Sequence, residues 1–217
     1  SVQQSFSVAT GVLIDQSTFV DGHGAVTTPA FSTSAPGDVL VAFVGADGPS
    51  AGGQTATVTG AGLTWTLVKR TNTRGGTSEI WQATAAAKLT NVTVSSTTSA
   101  TPFDQSLVVV AFSGSSGVGA SATASSTTGA PTISLTTTKA GSWVFAVGND
   151  WAHATARTLA AGQTMVHQFV DTGTGDTYWT QSLSAPTAAS GTGVTLADTA
   201  PTADRWNFTA VEVLSAP

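Results

Sequence analysis

Almost every apolar run in this chain is short, rich in β-branched residues and closed by Gly, Pro, Asp or Asn, and no stretch carries the 3.6-residue period of an amphipathic helix. In Leu63-Thr64-Trp65-Thr66-Leu67-Val68 the residues Leu63, Trp65 and Leu67 fall on one side and the threonines on the other, which predicts a half-buried strand with Trp65 inward. Three runs are apolar without alternation: Val39 to Val44, Val108 to Phe112 and Trp143 to Val147. Runs of that kind suit central strands covered on both faces. The pattern predicts strands near 4–10, 25–33, 38–46, 54–59, 63–71, 77–85, 91–98 and 105–114, then near 117–125, 131–138, 142–149, 155–160, 163–171, 177–184, 192–197 and 205–214. The alanine-rich Ala83 to Lys88 is too short to stand as a helix and reads as a strand end and loop. Eight short strands in each half make an all-β class, an antiparallel β-sandwich of jelly-roll-like or Greek-key type.

The pattern is also written twice. Gly37-Asp38-Val39-Leu40-Val41-Ala42-Phe43-Val44-Gly45-Ala46-Asp47 returns as Gly141-Ser142-Trp143-Val144-Phe145-Ala146-Val147-Gly148-Asn149-Asp150, 104 positions on, with one residue dropped. Ser78 to Gln82 matches Asp176 to Thr180, Val92 to Val94 matches Val194 to Leu196, and Asp104 to Ser113 matches Asp204 to Val213. Offsets confined to 98–104 over four blocks in one order predict an internal duplication: a first sandwich half at 1–115 and a second at 116–217. The Ser/Gly-rich stretch from Ser113 to Gly119 has linker composition and would be the seam. Because the central strands of both halves lack a polar face, each half is expected to pack against its twin.

Composition narrows the partners. Charged residues make up only 9% of the chain, and seven Lys and Arg against twelve Asp and Glu leave a net charge of -5 with no basic run. The footprint of a nucleic-acid-binding protein is missing. There is no Cys, which removes disulfides and thiolate chemistry. No apolar run approaches the ~18 residues of a membrane helix, so no membrane insertion is expected. Thr/Ser/Gly-rich strands with few charges suit a secreted or cell-surface setting, and the chain reads as a mature fragment of something longer.

Candidate chemistry is sparse. A glycosidase needs two carboxylates across a cleft, and the two glutamates, Glu79 and Glu212, sit in predicted strands. There is no G-x-S-x-G elbow, and His23, His153 and His167 occupy unrelated contexts. The residues therefore suggest no enzyme. Asp47 and Asp150 close one matching strand and Asp104 and Asp204 open another, so structural Ca2+ is one reading of these four, and side chains capping turns is the other. Of six Trp, most fall on inward strand positions, but Trp151 sits in a polar loop beside Asp150 and His153 where the other half has Gly48. An exposed indole with polar neighbours is what a sugar ring stacks on, so Trp151, Asp150, His153 and Tyr178, which alternation turns away from Trp179, form the candidate ligand-binding set. Trp151 acting as a lid on the sandwich is the competing reading. Thr-x-Thr steps are scattered among unlike strands, against a regular ice-binding ladder.

The stretches Gly37 to Pro49, Leu63 to Ala83 and Thr199 to Val213 resemble accessory domains of large secreted bacterial proteins, which sit beside fibronectin-like modules and polysaccharide-active enzymes. The resemblance implies architecture and an extracellular place, with neighbouring domains of a parent protein. No functional residue is carried over by it, since these domains have no defining catalytic motif. The expectation is a non-catalytic extracellular module binding polysaccharide or cell-wall glycan, with no required cofactor beyond a possible Ca2+. The alternative is a structural or adhesive spacer.

Overall fold

A computed structural model describes residues 11–217, and the strand expected at 4–10 lies outside them. The described chain is all-β, built of antiparallel sheets packed as a sandwich. Its first eight strands are β1 (Leu13–His23), β2 (Val26–Thr27), β3 (Val39–Ala46), β4 (Ala56–Gly60), β5 (Thr66–Thr71), β6 (Thr77–Thr84), β7 (Val94–Thr98) and β8 (Asp104–Ser113). The next eight are β9 (Ser115–Ser126), β10 (Thr132–Thr136), β11 (Trp143–Asp150), β12 (Thr158–Leu159), β13 (Gln163–Asp171), β14 (Asp176–Leu183), β15 (Gly193–Ala200) and β16 (Trp206–Ser215).

The first eight strands form a five-stranded sheet, β1-β8-β3-β6-β5, and a three-stranded sheet, β2-β7-β4. The second eight form β9-β16-β11-β14-β13 and β10-β15-β12, the same two orders with eight added to every strand number. The sheets divide at Gly114, between β8 and β9. The stretch expected to be a linker is therefore not one: β9 begins at Ser115 and pairs with β16, its small residues fitting an edge strand. Strand β1 was not anticipated either. It is an edge strand with a bulge between Ile14 and Gln16, and its polar Asp15, Gln16, Ser17 and Asp21 break the apolar run.

The two five-stranded sheets face each other and the three-stranded sheets cover their outer sides, giving four layers and three apolar cores. Alternation in β3 shows how one strand serves two cores. Leu40, Ala42, Val44 and Ala46 point to the small sheet of their own half, whereas Val39, Val41 and Phe43 point to the other half. That middle core adds Ile80, Val108, Val110 and Phe112 from the first half and Phe145, Val147, Val211 and Val213 from the second. Phe145 stacks on Phe43 at 5.8 Å between ring centroids and meets Phe112 edge-on at 5.1 Å. Each such ring contributes about 1.5–3 kcal/mol by leaving water. The outer core of the second half gathers Val144, Ala146, Trp179, Leu196, Trp206 and Phe208.

Face assignment corrects the sequence matching. Ala42 and Ala146 both face outer cores, so the offset of 104 runs unbroken through the strand. Dropping a residue to match Gly45 with Gly148 would turn outward Val44 onto inward Val147, because a one-residue slip exchanges the faces of a strand. Asp150 thus corresponds to Ala46, not to Asp47. In the last strand, Val109 pairs with Ala42 and Ala210 with Ala146, an offset of 101 that sets Ala111, not Phe112, against Glu212.

Candidate functional site

The turn between β5 and β6 reaches across to the second half and seats the rim loop that follows β11. Asn149 Nδ2 and Asn207 Nδ2 each donate to the Gly75 carbonyl at 3.1 Å, Asn207 Nδ2 also donates to Asn149 Oδ1 at 3.0 Å, and the Arg74 N–H donates to Asn207 Oδ1 at 3.2 Å. Further along, Thr71, Ser78 and Thr209 share a buried hydroxyl cluster. Two amides on one carbonyl fix Gly75, and Trp151 lies on it. A Cβ at Gly75 would stand 2.6 Å from Cε2 and 2.8 Å from Cδ2 of the indole, so a bare backbone is what permits the approach. Closeness to both ring-fusion atoms places Gly75 over the plane of the ring. The exposed Arg205, just before β16, sets its guanidinium 4.9 Å from the Trp151 ring centroid.

Trp151 differs from the other five tryptophans. Trp65 donates its indole N–H to Gly60 O, Trp81 to Glu79, Trp143 to Leu183 O, Trp179 to Gln181 and Trp206 to Gly129 O. Trp151 is half-buried, belongs to no apolar core, and its indole N–H has no partner among the described residues. The other expected ligand-binding residues do not gather around it as a wet rim. His153 does stay at the surface, with Nδ1 2.7 Å from Asp204 Oδ1. Asp150 is fully buried: one oxygen accepts the Ala152 N–H at 2.6 Å, and the other is held by Arg157. Burial pushes its carboxyl up to about 6 against the opposing pull of Arg157.

Tyr178 is also fully buried, which corrects the expectation that it faces solvent. Alternation does turn it away from Trp179, but that side of β14 is covered by the first half, where a Cβ at Gly45 would meet Tyr178 Cβ at 3.3 Å. Its O–H donates to Asp176 Oδ2 at 3.2 Å, its ring stacks with Phe169, and burial raises its pKa far above the ordinary phenol.

The four aspartates considered for Ca2+ do not come together. Asp150 and Asp204 adjoin each other in the second half. Asp47 neighbours Asp104, Asp171 and Asp176, and burial foremost pushes it up to about 6. Among the described residues no three His, Asp or Glu side chains converge as a metal-binding group. The histidines instead each take one aspartate: His23 with Asp104, His153 with Asp204 and His167 with Asp21. The glutamates are likewise engaged. Glu79 is buried and accepts from Arg70, Trp81, Thr77 and the Ala56 N–H. Glu212 is buried and accepts the N–H groups of Ala120, Thr138 and Lys139.

Sequence reasoning singled out Trp151 through its unmatched loop but did not single out Gly75 and Arg205, which lie against its ring, or Arg157, which holds Asp150. The scarcity of Lys and Arg was the signal available, since in a chain with seven of them each guanidinium needs a reason. No family model, curated protein or solved structure matches the chain. Among the described residues no helix is long and apolar enough to cross a membrane.

Proposed function

We propose that this chain is a non-catalytic, extracellular polysaccharide-binding module, derived from one copied sandwich unit, whose contact residue is Trp151. The observation that carries this reading is that five of the six indole N–H groups are spent inside the protein, while that of Trp151 is left open on a rim loop. An amphipathic ring fixed on a rigid backbone, with its polar edge unused, suits a sugar that offers both C–H faces and hydroxyl acceptors. The matching strand order supports the copied unit, and the rim loop between β11 and β12 lies where the two halves differ. The test is retention on a panel of insoluble polysaccharides. Wild type is expected to be retained, Trp151→Ala to be lost, and Gly75→Ala to be weakened, because the added methyl displaces the indole without removing it. Equal retention of all three, or none on any glycan, overturns the reading.

A second reading, a structural or adhesive spacer, rests on the outer sheets. Thr57 pairs with Thr97 and Thr59 with Ser95, which also pairs with Thr27. The steps that look scattered along the sequence thus lie side by side on one uncharged face. The other outer sheet repeats the device, with Ser134 Oγ 2.8 Å from Thr195 Oγ1. A uniform hydroxyl face of this kind suits packing against a neighbouring domain or cell-wall surface, and that reading gains if the glycan panel is negative.

A further inference from the structure

We infer that the rim at Trp151 takes carboxylate-bearing sugars, a uronate polymer in preference to a neutral one; this rests on the polysaccharide-binding reading of the same residue. The chain carries seven Lys and Arg against twelve Asp and Glu. Two of the guanidinium groups are consumed internally, Arg70 by Glu79 and Arg157 by Asp150. Arg74 and Arg205 form no ion pair among the described residues; Arg205 sets its guanidinium over the Trp151 ring, and Arg74 precedes in sequence the glycine that supports it. Arg74 also buries its Nε without a hydrogen-bond partner among the described residues.

The local acids do not compete for these cations. Asp150 turns inward to Arg157 and the Ala152 N–H, and Asp204 is buried with one oxygen toward His153. Both acids beside Trp151 in the second half thus turn inward, and the exposed Arg205 at the ring is left unneutralised on a protein of net charge -5. A guanidinium fork matches a carboxylate with two parallel hydrogen bonds, and such charge-assisted bonds exceed an exposed cation–π contact in strength. Arg205 would leave the indole for the carboxylate and open the ring to the C–H face of the same sugar. A neutral glycan offers no group that draws Arg205 away.

The experiment is affinity electrophoresis in gels containing polygalacturonate, its fully methyl-esterified form, or a neutral β-glucan. It compares wild type with Trp151→Ala, Arg205→Gln and Lys88→Gln, the last removing one exposed charge elsewhere. Wild type is expected to bind the free acid at least tenfold more tightly than its ester and to weaken with added salt. Arg205→Gln should lose that preference while melting like wild type, and Lys88→Gln should keep it. Equal retention on acid and ester, an unchanged Arg205→Gln, or equal loss from Lys88→Gln overturns the uronate inference and leaves the polysaccharide reading standing. Retention on the neutral glucan alone does the same. No retention on any of the three, nor on a wider glycan panel, overturns both.

Discussion

Each half sets one guanidinium between its large and small sheets against a buried carboxylate, half-buried in the first and fully buried in the second, and the two are solved differently. In the first, Arg70 Nε and Nη2 reach Glu79 at 2.6 and 3.0 Å, and the carboxylate takes three further donors from Ala56 N–H, Thr77 Oγ1 and Trp81 Nε1. In the second, Arg157 holds Asp150 and lies 4.4 Å over the Trp179 ring. Its Nε and Nη1, both oxygens of Asp198 and one of Asp204 have no partner among the described residues. One node is closed and neutral. The other sets a single buried cation among three buried carboxylates. The difference reaches the surface, because Asp150 pins both Arg157 and the Ala152 N–H and so ties the second node to the loop that carries Trp151.

The largest expected effect follows from removing each cation. Arg157→Met strands Asp150 in the interior, and breaking a buried pair in this way costs about 3–5 kcal/mol. Arg70→Met leaves Glu79 with three donors and a partner site whose side chain was already 26% exposed, so the loss should be about 1–3 kcal/mol. Urea unfolding of both variants at pH 7.5 reads the difference. Equal losses would mean that the two nodes are energetically alike, whatever their geometry.

A somewhat smaller effect should have opposite signs in the two halves. Burial foremost pushes Asp198 up to about 7, with the Arg157 charge pulling it back, against an ordinary 3.8. The folded protein therefore keeps a proton that the unfolded chain releases, and stability falls as pH rises from about 4 to about 7. Asp150, and Asp38 and Asp47 of the first half, each raised to about 6 chiefly by burial, add to the same slope. Asp198→Asn removes the part due to Asp198, so it should stabilise by about 1–3 kcal/mol at pH 8 and do little at pH 4.5. Glu79→Gln should destabilise at both, since it weakens an acceptor whose donors are all in place. Melting curves at the two pH values decide this, and destabilisation by Asp198→Asn at pH 8 would show that its carboxylate is compensated. The acid limit is set elsewhere: burial works to raise Glu212, but the donors led by the Ala120 N–H hold it below its usual range, so its contribution is lost as pH drops below about 4.5.

What the sequence discloses and what it hides follow from these contrasts. The runs Val39 to Val44 and Trp143 to Val147 announce their place, because a strand covered on both faces has no reason to alternate. Edge strand β1 hides, since one rim of it is wet and a bulge breaks its period. Tyr178 and Asp150 look like surface residues because single-strand alternation cannot report a second sheet packed outside the first. Arg157 reaches Asp150 only through a loop that folds back over the core, a pairing that no local pattern encodes. Trp151 is visible for the converse reason, as a bulky apolar residue in a polar loop with no counterpart.

The smallest effect tests an exchange between the halves. Trp81 pairs with Ala42 and Gln181 with Ala146, while Glu79 pairs with Val44 and Trp179 with Gly148. Along equivalent strands, the indole and its polar partner have therefore traded places. Gly148 follows from the trade, because a Cβ there would stand 2.2 Å from Trp179 Cζ2, whereas Val44 fits opposite a glutamate. Trp81→Phe removes one of five donors to Glu79, a cost of about 0.5–1.5 kcal/mol beyond lost packing. Trp179→Phe removes the only donor, among the described residues, to the buried oxygen of Gln181, whose Nε2 remains bound to Gln163 Oε1 at 2.7 Å. An acceptor left alone in a dry interior costs about 1–3 kcal/mol, so the second substitution should exceed the first by about 1 kcal/mol in urea unfolding. Adding Gln181→Leu to Trp179→Phe should recover most of that gap by removing the stranded group, and failure to recover it would place the cost in lost packing against Arg157 instead.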